Sequence, residues 1–349
     1  MKKSPEITIH NLAYELKISA STVSRALNDK SRISEKTRQL VRQKAIEMGY
    51  RPNILAANLR SKKTNTIGVV VPRIDRYFFS SAISGIEDYA WTMEFYVIIT
   101  QSNDLLVKEV NCVQTLFNNR VDGIIISISM QTNDDKHIRL FSDKNIPIIF
   151  FDRFCPTIEC DRIVVDDFNS GYKITRHLIE RGCKRIAHIA GPDLLNIYRD
   201  RKDGYLKALN EAGLSHSEGY LEITGLTKEE GKQAFARLMA LPNPPDGVFC
   251  GNDTTALSAL EYCHENNLKI PADVALVGFS DEPFSAVVTP SLSTVKQPGY
   301  QMGFQAAKKI IHRIMNSNSI IPFEQIILPT ELIIRESSKE CHGVILKEC

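Results

Sequence analysis

From Thr66 onward, short runs rich in β-branched residues alternate with amphipathic stretches, and this alternation constrains the fold of the 349-residue chain more than any other feature. The runs are T-I-G-V-V-V-P at 66–72, F-Y-V-I-I-T at 95–100, G-I-I-I-S-I at 123–128, I-P-I-I-F-F at 146–151, R-I-A-H-I-A-G at 185–191, G-V-F-C-G at 247–251 and V-A-L-V-G-F-S at 274–280. Near-continuous apolar runs are what a strand buried on both faces of a parallel sheet needs. The stretches between them supply right-handed crossovers. A faint repeat links R-V-D-G-I-I-I-S and N-I-P-I-I-F-F-D in the first half to P-P-D-G-V-F-C-G-N-D and D-V-A-L-V-G-F-S-D in the second, which predicts two similar doubly wound lobes. Ligands in open α/β sheets bind beyond the carboxyl ends of the strands. The residues ending those runs, Asp152, Asn252, Asp253 and Asp281, are therefore expected in a cleft between the lobes. For Asp253 and Asp281 the competing role is an N-cap after a strand.

The first fifty residues follow a different period. Thr8 can cap a helix through about Glu15 with Ile9, Leu12, Ala13 and Leu16 as its apolar stripe. Ser19 can cap a second through about Leu27, with Val23, Ala26 and Leu27 on one face and Ala20, Ser21, Ser24 and Arg25 mostly on another. Ser34 can open a third, which carries Glu35 early and Arg42 and Lys44 late, buries Leu40, Val41, Ala45 and Met48, and stops at Gly49. A short helical stretch from Asn53 is too short to stand alone. The polar run Ser61–Asn65 after it marks a domain boundary. The predicted organisation is an all-α headpiece over 1–52, a hinge over 53–65, an α/β core over 66–340 and a tail over 341–349. Within the core, one lobe takes about 66–164 and 296–325, the other about 165–295 and 326–340.

The net charge of +2 hides a strong polarity: residues 1–63 hold 14 Lys and Arg against 5 Asp and Glu, a net of +9, leaving −7 for the remainder. A basic head on an acidic body points to a polyanion partner for the head alone. The start has no apolar segment of the secretory kind, and no run approaches the roughly 20 apolar residues of a membrane span. The expectation is a cytoplasmic protein with no membrane partner. Eight cysteines lie at 112, 155, 160, 183, 250, 263, 341 and 349 without a C-x-x-C pair, and the eight histidines show no ligand spacing. Reduced thiols, no metal and no cofactor are expected. No G-x-S-x-G, Walker A, H-E-x-x-H or dinucleotide fingerprint is present, which argues against an enzyme.

The run I-S-A-S-T-V-S-R-A-L-N from Ile18, then I-S-E-K-T-R from Ile33, G-Y-R-P-N from Gly49 and L-R-S-K-K-T-N-T-I-G-V-V-V-P from Leu59 resemble the lactose-repressor family of bacterial transcription regulators. The resemblance continues through V-D-G-I-I-I, H-I-A-G-P, G-N-D and V-G-F-S-D to S-L-S-T-V-K-Q-P at Ser291. It implies a helix-turn-helix headpiece and a two-lobed, periplasmic-binding-protein-like core built on two doubly wound parallel sheets. It further implies a homodimer on double-stranded operator DNA, with a small-molecule effector, a sugar or sugar derivative, controlling repression; activation or dual regulation is the alternative. Ala20, Ser21 and Arg25 occupy base-reading positions, and an arginine can fork onto guanine O6 and N7. Thr22, Ser24 and Asn28 suit phosphate. Thr8, Ser19, Ser34, Thr37, Tyr50 and Asn53 complete the implied DNA contacts. Taken alone, S-T-V-S-R also reads as a capped surface helix. In the hinge, Leu59 takes the place of a leucine wedged into a minor-groove step, beside small Ala56 and Ala57; an ordinary core leucine is the competing reading.

For the effector, the resemblance implies Phe78, Phe79, Asp152, Arg201, Asn252, Asp253, Ser280 and Asp281. Aromatic faces with planar polar groups suit a carbohydrate. This chain departs from the pattern twice: Arg76-Tyr77 replaces an asparagine-proline before the aromatic pair, and Ser280 stands where aspartate is common. Two rivals use the same core. An exported solute-binding protein would lack the basic head, and a sugar-processing enzyme would turn its ligand over.

Overall fold

The computed structural model describes residues 7–27, 33–50, 64–214, 219–317 and 319–339. The chain divides into two compact units, Met1–Thr64 and Asn65–Cys349. Asn28, Asn53, Ala56 and Leu59, with the expected hinge helix and tail, lie outside the described residues.

In the first unit, α1 (Ile9–Leu16) starts at a capping box in which the Thr8 side chain accepts from Asn11 N while the Asn11 side chain accepts from Thr8 N at 2.8 Å. It ends on Lys17 in the left-handed region, φ 52°. Helix α2 (Ala20–Leu27) is opened by Ser19, whose Oγ accepts from Thr22 N at 3.1 Å. Helix α3 (Glu35–Glu47) is capped by Ser34 and closes with Gly49 at φ 67°, where Tyr50 N donates to Ala45 O at 2.9 Å. Leu12, Val23, Ala26 and Val41 are fully buried and form the centre of a small core. Leu40 departs from expectation: it is 54% exposed. With Val41, Ala45 and Met48 setting the inward stripe at i, i+4 and i+7, Leu40 lies a full 100° step to one side.

The second unit holds two parallel sheets. The first has the order β11-β5-β4-β3-β1-β2, from β1 (Thr66–Val71), β2 (Tyr96–Gln101), β3 (Gly123–Ile126), β4 (Ile148–Phe151), β5 (Asp161–Val165) and β11 (Gln325–Leu328). The second has the order β7-β6-β8-β9, from β6 (Ile186–Ala190), β7 (Leu221–Ile223), β8 (Gly247–Cys250) and β9 (Ala275–Val277). An antiparallel pair, β10 (Thr294–Lys296) and β12 (Glu331–Ile333), joins the lobes. All seven expected strands form. The first sheet also takes β5 through Val165 and β11 through Leu328, so the chain crosses between lobes slightly later than the expected 164 and 325. At the edge, β2 leaves Tyr96 and Ile99 exposed, because a strand with one neighbour needs no cover on every side.

Helices flank both sheets: α4 (Tyr77–Thr92), α5 (Leu106–Asn118), α6 (Lys136–Ser142) and α11 (Gly299–Met315) in the first lobe, α7 (Asp167–Glu180), α8 (Asn196–Glu211), α9 (Lys228–Met239) and α10 (Asp253–Glu265) in the second. Helices α4 and α11 meet at backbone distance, since a Cβ on Gly303 would fall 1.8 Å from Ala82 O. Helices α7 and α8 repeat the device: a Cβ on Gly171 would fall 2.3 Å from Arg201 O. That close approach sets Arg201 against the strand ends. The short helix α12 (Glu336–Lys339) is tied to the second lobe by Ser337 Oγ, which donates to Leu276 O at 2.7 Å. Among the described residues no helix is long and apolar enough to cross a membrane.

Candidate nucleic-acid interface and ligand cleft

In the first unit, the turn Lys17–Ser19 sets α2 against α1 with its polar face outward. Ser19 Oγ lies 2.8 Å from both Ser21 Oγ and Thr22 Oγ1, so the three hydroxyls are ordered before any partner arrives. Ser21 and Arg25 are exposed, while Ser24 and Thr22 are half-buried. Ala20 is also half-buried and packs on the core, which leaves little methyl surface to offer. Among the described residues no acid pairs with the Arg25 guanidinium. Two other basic groups are more committed: Arg38 donates to Ile33 O at 3.2 and 3.3 Å, and Lys44 meets Glu47 at 3.3 Å. Thr8 and Ser34 stand exposed at the N-termini of α1 and α3, where free N–H groups favour an anion. Thr37 Oγ1 lies 2.8 Å from Ser34 Oγ, and Tyr50 packs on the core.

In the second unit, the groups expected at the cleft separate into two sets. Asp152 follows β4 in the left-handed region at φ 61°, nine-tenths buried; its carboxylate accepts no hydrogen bond from the described residues but forms a long ion pair, Oδ2 lying 3.7 Å from Arg153 Nε. Burial pushes this carboxyl above the ordinary range, against the pull of Arg153 and Arg201. Arg201 lies beneath it on α8: Nε donates to Asp167 Oδ1 at 2.7 Å, Nη1 to Gly251 O at 3.1 Å, and the guanidinium stacks 3.5 Å from the Phe279 ring. Burial likewise raises the Asp167 carboxyl, with Arg201 opposing. Phe79 meets Phe151 edge-on at 6.1 Å and stands 5.9 Å below the Arg153 guanidinium. Phe78 instead packs against the start of α11 at Gly299. Ser280, at φ 119°, donates to Gln297 Oε1 at 3.0 Å. Gln297 draws the Asp152 carboxyl down against its burial, and its Nε2 makes no hydrogen bond among the described residues.

The remaining three residues are held by their own lobe. Asn252 caps α10, accepting from Thr255 N at 2.8 Å, and its amide donates to Leu226 O. Asp253 is fully buried and accepts from Thr294 Oγ1 at 2.6 Å, Glu282 N at 2.7 Å and Ser285 Oγ at 3.1 Å. It is thus a brace for the loop after β9 rather than a cap. Asp281 is held by Arg335 Nη2 at 2.8 Å.

Several cleft groups escaped sequence reasoning. Arg153 donates through Nη1 to Asp104 Oδ1 at 2.5 Å and through Nη2 to the Tyr198 hydroxyl at 3.2 Å. Burial works against its charge, but Tyr198, Asp104 and Asp152 outweigh it and hold the guanidinium protonated. Asn196, at the head of α8, clasps the first lobe: Nδ2 donates to Asp152 O at 3.1 Å and Oδ1 accepts from Phe154 N at 3.2 Å. Ser102 and Ser127 follow β2 and β3, and their buried hydroxyls, with Arg153 Nε and Gln297 Nε2, make no hydrogen bond among the described residues. Buried polar atoms are normally paired, so this group points to a polar occupant. The rule that led to Asp152, a polar residue past a strand end, would also have found Ser102 and Ser127. Among the described residues no cluster of three or more His, Cys, Asp or Glu could hold a metal.

Residues 8–53 match the model for bacterial regulatory proteins of the lacI family, and residues 175–338 match the periplasmic binding protein-like domain. The chain is 30% identical over 339 residues to the HTH-type transcriptional repressor CytR of Escherichia coli (strain K12), covering 97% of this chain and 98% of the relative. It is 34% identical over 331 residues to the NTD biosynthesis operon regulator NtdR of Bacillus subtilis (strain 168), covering 95% and 99%. A lac repressor dimer bound to operator and the anti-inducer ONPF shares the fold with a TM-score of 0.83 at 24% identity, over 96% of this chain and 99% of that one. A complex of the transcriptional regulator CelR with cellobiose matches with a TM-score of 0.72 at 26% identity, over 95% and 100%.

Proposed function

The chain belongs to the lacI family of bacterial regulatory proteins, DNA-binding transcriptional regulators, and from that premise we propose that it is a homodimeric repressor released or engaged by a carbohydrate effector. The observation that carries the DNA-reading part is Arg25, exposed on α2 without an acid partner among the described residues and flanked by ordered hydroxyls. In this reading Arg25 forks onto a guanine in the major groove, which contributes about 1–3 kcal/mol of discrimination. Ser21 tolerates its neighbouring base, and Thr22, Ser24 and the N-termini at Thr8 and Ser34 hold phosphates. Two headpieces read the two halves of a near-palindromic operator.

The effector sits among Asp152, Arg153, Asn196, Arg201, Gln297 and Phe79. A ligand donating to Asp152 and accepting from Gln297 and Arg153 would satisfy the unpartnered buried atoms, as the hydroxyls of a sugar can. The cellobiose bound by the CelR relative supports that class, and the repressor name of the Escherichia coli relative supports repression. Selection of bound duplex from a random pool, repeated with and without a panel of sugars, tests the whole reading. A shared half-site motif whose recovery changes with one sugar is expected; recovery without any sequence preference overturns it.

A further inference from the structure

The cleft contains several cations, and each is matched by an acid of the same chain. Arg153 is held by Asp104 at 2.5 Å, Arg201 by Asp167 at 2.7 Å, and Arg73 by Asp75 at 2.5 and 2.8 Å. Arg76 faces Glu282. Asp152 is the extra acid: its buried carboxylate accepts no hydrogen bond from the described residues and shares Arg153, whose Nε lies 3.7 Å from Oδ2. The buried atoms past the strand ends that lack a hydrogen bond among the described residues are the Ser102 and Ser127 hydroxyls, the Gln297 carboxamide N–H and the Arg153 Nε–H, and the charge of that guanidinium is already compensated. The cleft therefore offers many hydrogen bonds but no surplus positive charge. A phosphate group normally meets an uncommitted arginine or lysine, or a row of free backbone N–H groups. Here a phosphate dianion would enter a buried site that holds one carboxylate more than guanidinium groups, since Arg153 is shared between Asp104 and Asp152, with no cation left to balance the added charge.

Resting on the carbohydrate-effector reading, we propose that the cleft selects an unphosphorylated, hydroxyl-rich effector over its phosphate esters, and that Asp104 is a specificity-determining residue because it neutralises Arg153. Asp104 is suited to that role by position. It lies in the loop after β2, part-exposed, at φ 59°, a conformation that asparagine also accepts. Its Oδ1 also accepts from Met130 N at 3.1 Å, a bond an asparagine oxygen can keep. Asp104→Asn thus removes the charge while leaving the loop its hydrogen bond.

Thermal melting of the full chain tests this with free pentoses, hexoses, disaccharides and nucleosides, each set against a phosphate monoester of the same compound. At least one free compound is expected to raise the melting temperature, and its ester to bind more than about tenfold more weakly. An ester that stabilises as well as its parent overturns the selection and leaves the carbohydrate reading standing. A panel in which nothing stabilises removes that reading, and this inference with it. A second arm uses inorganic phosphate against chloride at equal ionic strength. Phosphate should raise the melting temperature of Asp104→Asn, and of Asp167→Asn, which frees Arg201, by more than that of the parent. The basic headpiece responds alike in all three proteins, so an equal shift throughout overturns the role given to Asp104.

Discussion

The Glu282 carboxylate of the second lobe accepts the backbone N–H of Tyr77, first residue of α4 in the first lobe, at 3.2 and 3.4 Å. Helix α4 has no side-chain cap of its own at Arg76, so its N-terminus is capped from across the cleft. A proline at position 77, usual in the pattern this chain resembles, has no N–H to give. The Arg76-Tyr77 departure noted in the sequence thus creates an interlobe contact.

Tyr77→Pro removes the donor while placing proline at the first helical position, where it is tolerated. A hydrogen bond to a charged group contributes about 1.5–3 kcal/mol, less at a half-exposed site such as this. The variant is expected to shift the lobes toward an open arrangement and weaken effector binding several-fold, because apparent affinity scales with the closed fraction. Calorimetric titration with the effector, alongside small-angle scattering, reads both effects. Unchanged affinity and unchanged dimensions would show that the contact does not hold the lobes.

Arg25→Ala is expected to relax base preference at one position of each half-site by about 1–3 kcal/mol, rather than weaken all sequences alike. Binding to operator and to single-base variants, measured at one salt concentration, makes the distinction. A uniform loss would reassign Arg25 to phosphate. Across a salt series the parent should lose affinity with a log–log slope of about −0.9 per phosphate neutralised.

Gly303→Ala places a methyl group against Ala82 O, where a Cβ would stand at 1.8 Å. The obstacle is backbone and both helices are anchored on the sheet, so α4 and α11 must separate. Overpacking of this kind costs about 1–3 kcal/mol or more. Urea denaturation should show that loss, while Gly213→Ala, whose Cβ would meet nothing within 4 Å, should show only the smaller cost of its positive φ.

What the sequence revealed and what it hid follow from one distinction. The seven anticipated strands have a near-continuous apolar run, and a run survives in one dimension. Strand β5 was hidden by Asp161 and Arg162 at its start, and β7, β11 and β12 are short strands with part of their surface exposed, so none carries the signature of two-sided burial. The cleft divides the same way. Asp152 and Arg201 follow from a strand end and a motif, whereas Asp104, Arg153 and Asn196 acquire their roles only through partners about 40 or more residues away. Asp253 and Asp281 have the right residue type in the right place, but Thr294, Ser285 and Arg335 take up their oxygens.

His188 yields a prediction in which sign decides. It lies in β6, wholly buried and stacked 4.1 Å from Phe249, with Nδ1 2.8 Å from Phe249 O and Nε2 unpartnered among the described residues. Burial pushes the imidazole down from 6.5 to about 3, with Arg201 and Lys202 adding to the effect and the Phe249 carbonyl opposing it. The unfolded chain takes up a proton near its ordinary value of 6.5, and the fold does not until about 3. The contribution of His188 is therefore complete above 6.5 and is lost as the pH falls from there. The loss approaches about 1.4 kcal/mol for each further pH unit. Buried Asp253, raised to about 6, works the other way: its contribution is greatest in acid and fades as the pH rises through that value. The parent's own pH profile therefore mixes both trends, and the comparison with His188→Phe isolates the histidine. The variant should lose stability at pH 7, where the Phe249 carbonyl is deprived of its partner, and recover relative to the parent on acidification. Urea denaturation of both proteins from pH 7 to pH 4.5 measures the difference. A gap that stays constant across that range would mean that His188 titrates alike in the folded and unfolded chain, and that β6 admits solvent to its imidazole.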